Sequence, residues 1–82
     1  MKTEIENKLK EYIVKNFFSG DPNSLTSDTE LLTSGIIDSI SALEIVDFIE
    51  ENFNLQFEAH EVDKENLNTI SILSDFIIKK QA

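Results

Sequence analysis

Gly35-Ile36-Ile37-Asp38-Ser39-Ile40-Ser41-Ala42-Leu43-Glu44-Ile45-Val46-Asp47-Phe48-Ile49-Glu50-Glu51-Asn52-Phe53 is the stretch on which the fold of this chain turns. It runs from a glycine bend through a helix start into an amphipathic helix. Asp38 is the expected N-cap, and the helix is expected from Ser39 to about Asn52, with Asn54 at or just beyond its end. Rotating about 100° per residue separates two faces. Ala42, Ile45, Val46, Ile49 and Phe53 share one side and read as core. Ile40, Glu44, Asp47 and Glu51 lie opposite, flanked by Leu43 and Glu50, while Phe48 falls between the faces. The outward face is therefore acidic with an isoleucine near its centre. A lone exposed isoleucine means little. Beside a serine fixed at a helix start and ringed by carboxylates, Ile40 reads as a contact point.

On the N-terminal side, Ile5, Leu9, Tyr12 and Ile13 recur at helical spacing and predict a helix over 3–17. Ser19-Gly20-Asp21-Pro22-Asn23 ends it with strong breakers. Residues 19–37 form a long connection, which in a small domain is commonly functional or internally packed. Leu25, Leu31, Leu32, Ile36 and Ile37 are available to pin it down. Ser27-Asp28-Thr29-Glu30 has capping-box spacing and predicts one helical turn near 28–33. Gly35 supplies the bend before the acidic helix.

On the C-terminal side, Leu55-Gln56-Phe57 alternates but has no partner strand, so it reads as a connector burying Leu55 or Phe57. A short helix is expected around 58–65 with Val62 inward, followed by a loop at Asn66-Leu67-Asn68. Thr69 caps a last helix of about 70–80, with Ile70, Leu73, Phe76 and Ile77 as its stripe. Lys79 and Lys80 at its end suit the helix dipole. The fold class that follows is all-α: a small four-helix bundle in a single domain over 1–82, with three main helices, one short third helix and a long first loop.

With 82 residues and 40% hydrophobic content, the chain has material for one small core and no deep catalytic cleft. Two glycines, one proline and no cysteine favour helices and exclude disulfides, thiol catalysis and thiolate metal sites. The N-terminus is charged with no apolar stretch of a secretory signal, and no run is long and apolar enough for a membrane span, so a cytoplasmic protein is expected. The net charge is −9, from 16 acids and 7 lysines. Between Lys15 and Lys64 every Asp, Glu, Lys or Arg is acidic. Nucleic acid and anionic membrane surfaces, which need cationic contacts, are excluded as partners, and a basic protein surface is the complement.

The hydroxyl of Ser39 sits where backbone N–H groups at a helix start point outward and favour an anion. As a hydrolase nucleophile it would need a base. His60, on the expected short helix, is the one histidine, and no G-x-S-x-G elbow is present. His60 reads as a surface residue. Asp21-Pro22-Asn23 begins like a calcium loop, but Pro22 and the missing sixth-position glycine break the pattern. No zinc-ligand spacing and no phosphate-cradling glycine loop occurs. No catalytic residue and no metal ligand is assigned. Asp38-Ser39 alone is an ordinary helix start.

Taken over the whole of Gly35–Phe53, the pattern Gly-Ile-Ile-Asp-Ser-Ile-x-x-Leu-Glu-Ile-Val-x-x-Ile-Glu-Glu-x-Phe resembles the acyl and peptidyl carrier protein family. The family signature is a glycine, then Asp-Ser-Leu, then an acidic amphipathic helix ending in Phe. Ile40 stands where the leucine is usual. The length, the long first loop, the short third helix and Asn68-Thr69-Ile70 extend the resemblance over nearly the whole chain. It implies a carrier rather than an enzyme. Ser39, next to Asp38, would receive 4′-phosphopantetheine from coenzyme A through a phosphopantetheinyl transferase. The arm's thiol would hold an acyl or aminoacyl group as a thioester.

The resemblance also implies a partner face of Ile40, Leu43, Glu44, Asp47 and Glu51. This face would dock a loading enzyme and a downstream transferase or synthase through their basic patches, with the carrier acting as a monomer. Carriers of primary fatty-acid synthesis usually have one residue between Gly and Asp. Here there are two, Ile36 and Ile37. Asp47 stands where those carriers often have methionine. Both departures look more like a specialised carrier of secondary metabolism or aminoacyl transfer. A fatty-acid synthase carrier and an unmodified acidic helical adaptor are the alternatives.

Overall fold

The computed structural model describes residues 2–18 and 20–81. Helix α1 spans Lys2–Phe17, α2 Ser39–Phe53, α3 Lys64–Leu67 and α4 Ile70–Gln81, with single 3-10 turns at Pro22–Ser24 and Ala59–Glu61. No strand occurs among the described residues. The architecture is thus the expected all-α bundle of three main helices and one short one. α4 packs against both α1 and α3. The radius of gyration, 11.6 Å, is close to the roughly 12 Å of a folded chain of this length.

Each main helix buries one stripe because its apolar residues recur every three or four positions. Ile5, Leu9 and Ile13 of α1 meet Ala42, Ile45, Val46 and Ile49 of α2 and Ile70, Leu73 and Ile77 of α4 in one cluster. Phe53, expected in the core, is only half-buried, and the Lys8 ammonium lies 5.4 Å from its ring centre. Phe76 of the last stripe is also half-buried; its ring stacks on Phe57 at 4.8 Å. Phe48, unassigned from periodicity, lies against Tyr12 with ring centres 3.9 Å apart. Polar ties join the helix ends. Lys2 Nζ bonds Ser71 Oγ at 3.2 Å and pairs with Asp75 at 2.9 Å. Lys80 Nζ pairs with Glu61 at 2.6 Å and donates to the Gln56 carbonyl at 2.9 Å. Ser74 is fully buried and its hydroxyl has no partner among the described residues, a cost of about 1–3 kcal/mol that apolar burial around it must offset.

The long connection is a packed part of the core. Leu25 and Leu31 are fully buried and Ile37 is 2% exposed. The helical turn expected at 28–33 does not form. The helical turn of this segment lies at Pro22–Ser24, where Asp21 Oδ1 caps Asn23 N–H at 2.9 Å and Pro22 fixes the entering backbone. At the expected place, Thr29 Oγ1 takes the Thr26 N–H at 2.9 Å. The Leu31 N–H goes to the Asn68 carbonyl at 2.7 Å. With Leu32 and Thr33 N–H also bonded to the Asn68 side chain, the N–H groups a helix over 28–33 would have needed are taken.

The short helix expected at 58–65 is split. Glu58 and Glu61 close a capping box around the first turn. Asp63 then starts α3 afresh by accepting from Asn66 N–H at 2.9 Å. Leu67, expected in a loop, is the last residue of α3 and is 6% exposed. Leu55 and Phe57 are both half-buried, and Val62 is half-buried rather than fully inward.

Ile49 is fully buried at the centre of α2's core face. Ile49→Ala is expected to destabilise the protein by about 2–5 kcal/mol. A shift of the urea midpoint measures this, and for so small a fold it approaches total stability.

Candidate functional site

The start of α2 is built from the connection that precedes it. Gly35 adopts φ 85°, a left-handed conformation that favours glycine. Its N–H bonds the Leu32 carbonyl at 3.2 Å, and Ile37 N–H bonds the Leu31 carbonyl at 3.0 Å. The chain is thereby turned and Ile37 plugged into the core. Asp38 follows in extended conformation and caps the helix, its Oδ1 accepting from Ser41 N–H at 2.7 Å. That backbone bond, with the Ser41 side chain adding to it, holds the Asp38 carboxyl below the usual aspartate range.

Ser39 is the first residue of α2 and is exposed. Its hydroxyl has no hydrogen-bond partner among the described residues. Beside it lies a cleft of about 230 Å³ between α2 and α3. Its walls are Leu32, Ala42, Leu43, Val62 and Leu67, and its polar lining is Ser39, Asp63 and Lys64. Sequence reading placed none of the α3 residues here, because the contact is made across a long chain separation and α3 itself was misplaced.

The outward face of α2 is as periodicity drew it. Ile40 is 73% and Leu43 52% exposed, and Glu44, Asp47 and Glu51 are exposed beside them. Glu50 departs from this, being half-buried and accepting the Phe57 N–H at 2.7 Å. α2 carries no basic residue in its last turn, so the negative charge of the face is uncompensated on its own helix. Tyr12 of α1 adjoins the acidic face. Burial, and then the charges of Glu44 and Asp47, push its phenol pKa up. Sequence reading put Tyr12 on the apolar face of the first helix, and its ring stacks on Phe48 at this edge.

His60 is exposed and does not line the Ser39 cleft. Its ring and the carboxylates of Glu58 and Glu61 offer atoms within 4.8 Å of one another. Glu61 Oε1 is already held by Lys80 and by Glu58 N–H. These bonds, that of Lys80 first, keep the Glu61 carboxyl below its ordinary range.

Asn68, read from sequence only as loop at the entry to the last helix, has a structural role that reading missed. Its side-chain oxygen accepts from Leu32 N–H at 3.0 Å and Thr33 N–H at 3.2 Å, and its carbonyl takes Leu31 N–H. The available signal was an asparagine directly before the Thr69 cap, a position rich in local bonding.

The family pattern of the phosphopantetheine attachment site matches residues 13–77. The chain belongs to this family. It is 26% identical over 78 residues to the probable acyl carrier protein PigG of Serratia sp. (strain ATCC 39006), covering 95% of this chain and 90% of that protein. It is 30% identical over 76 residues to the mitochondrial acyl carrier protein 2 of Arabidopsis thaliana, covering 93% of this chain and 58% of that one. The protein is a carrier with phosphopantetheine as its prosthetic group, and not a catalyst. As a carrier it meets a phosphopantetheinyl transferase and biosynthetic enzymes. Among the described residues no helix is long and apolar enough to cross a membrane.

The lowered Asp38 carboxyl makes the helix start pH-sensitive. A depressed acid contributes stability above its unfolded pKa of about 3.9 and loses it as pH falls through the lower folded value. Asp38→Ala is expected to lower the urea midpoint at neutral pH. The gap from wild type should close below about pH 4, as urea titrations across pH will show.

Proposed function

We propose that Ser39 bears the 4′-phosphopantetheine arm, and that the protein is a discrete carrier holding an acyl or aminoacyl group as a thioester in a specialised pathway. The observation that carries this is the Ser39 hydroxyl: exposed, without a hydrogen-bond partner among the described residues, and first in a 15-residue helix. The residues there fit the group. The helix start favours a phosphodiester, and Asp38 keeps that start formed by occupying the Ser41 N–H. The adjoining apolar cleft offers a wall to a pantetheine arm. When bound, the group supplies the thiol that the cysteine-free chain lacks.

Ile40, Leu43, Glu44, Asp47 and Glu51 are the proposed docking face, an apolar centre within a carboxylate ring. Partners with basic patches approach it by charge, and exposed charges are screened beyond about 8–10 Å at ordinary salt. Binding is therefore modest, salt-sensitive and quick to release, as suits a monomeric shuttle in the cytoplasm. Both relatives bear acyl carrier names, which favours acyl over aminoacyl cargo. The two residues between Gly35 and Asp38, and the acid at 47, favour a specialised pathway over primary fatty-acid synthesis.

Intact mass after incubation with coenzyme A and a broad-specificity phosphopantetheinyl transferase tests the attachment point. Wild type is expected to gain one phosphopantetheine and Ser39→Ala none. No gain in folded wild type, with a known carrier primed in parallel, would leave an acidic adaptor as the better reading. Glu44→Lys and Asp47→Lys are expected to lower kcat/KM for priming by about tenfold at low salt and less at high salt. Their circular dichroism should remain that of wild type, since both side chains face outward.

A further inference from the structure

We propose that Lys64 is a second contact for the phosphodiester on Ser39, closing over the cleft and laying the arm against α3. This rests on the attachment of the arm at Ser39. It concerns where the arm goes after it leaves the serine.

Ser39 heads α2 and Lys64 heads α3, yet both line one cleft of about 230 Å³. Lys64 is the single cation among the residues lining it. No Lys or Arg lies between Lys15 and Lys64 in the chain, so the fold brings the first cation after that stretch to the side of the serine. Three other lysines have partners elsewhere, and Lys10, Lys15 and Lys79 do not line the cleft. Lys2 is paired with Asp75 and Lys80 with Glu61, and Lys8 lies over Phe53. Lys64 is exposed and makes no ion pair or hydrogen bond among the described residues. Its neighbour Asp63 is the α3 cap, accepting from Asn66 N–H at 2.9 Å, and forms no ion pair with Lys64.

The surroundings give the ammonium something to do. A phosphodiester adds one negative charge close to Asp38, in a segment already dense in carboxylates. Of the N–H groups at the start of α2, that of Ser41 is taken by Asp38. A flexible ammonium across the cleft supplies the missing counter-charge without a fixed geometry. Pairing there directs the arm toward Val62 and Leu67 and away from Ile40 and Glu44. Ile40, Glu44, Asp47 and Glu51 of the docking face stay clear while the arm is parked, and Leu43 is shared between the face and the cleft.

Wild type, Lys64→Gln and the exposed control Lys79→Gln are primed with coenzyme A and a transferase, and intact mass verifies the holo form. If wild type gains no phosphopantetheine, or Ser39→Ala gains it as well, the attachment at Ser39 fails and this proposal falls with it. On the holo proteins, the 31P resonance of the phosphodiester is followed from low to high salt, and urea midpoints are taken for apo and holo forms. The 31P resonance of wild type and Lys79→Gln is expected to move with salt as the ammonium is screened. That of Lys64→Gln is expected to lie near the high-salt position throughout, with the holo midpoint lowered more than the apo midpoint. A Lys64→Gln holo protein with the wild-type 31P position and salt response, or with equal loss in apo and holo midpoints, overturns the contact.

Discussion

The bonds made by Asn68 are the constraint on which the rest of the molecule depends. Through its carbonyl and side-chain oxygen, this residue holds three successive N–H groups, those of Leu31, Leu32 and Thr33. The Ser27 carbonyl, in turn, takes the Ser71 N–H at 2.8 Å. The long connection is thus tied to the head of α4 by polar bonds and to the core by Leu25, Leu31 and Ile37. A loop of this length has much conformational entropy to lose, on the order of 1–2 kcal/mol per residue. Buried leucines alone do not set its register, because apolar burial is non-directional. Directional bonds to one asparagine do. Once residues 31–33 are placed, the Gly35 bend, the Ile37 plug, the Asp38 cap and the Ser39 hydroxyl follow in order.

α2 then does two things with opposite faces. Its inner face supplies core residues that weld it to α1 and α4. Its outer face carries acids that nothing on the same helix neutralises. Acids at the negative end of a helix do not favour helix stability, and burial of Ile45, Val46 and Ile49 keeps the helix formed regardless. The negative potential of that face is left uncompensated on its own helix. Under the proposed shuttle role, this division lets the protein pass between partners without rearranging its core.

The cleft joins these two properties. It lies where the head of α2 meets α3, and its walls belong to the loop, α2 and α3 together. α3 owes its place to the Asp63 cap, to Leu67 and to the packing of α3 on α4. The segment before it is tied to the end of α4 through Glu61 and Lys80. The environment of the serine therefore depends on both ends of α4, although α4 contributes no residue to the cleft lining.

The sequence by itself determined the helical class, the inner and outer faces of α2, the Asp38 cap, the Gly35 bend and the Thr69 cap. All of these are local. They follow from a periodicity of 3.6 residues or from a side chain bonding a backbone group within a few positions. The family signature was legible for the same reason, being contiguous. Only the tertiary structure decided the rest. It moved the loop's helical turn to Pro22–Ser24, because Asn68 claims the N–H groups of Leu31, Leu32 and Thr33. It broke the expected short helix in two and buried Leu67. It seated Phe48 on Tyr12, and it brought Lys64 and Asp63 to the cleft beside Ser39. Each of these rests on groups far apart in the chain competing for one hydrogen bond or one patch of apolar surface, and no local pattern records which of them prevails.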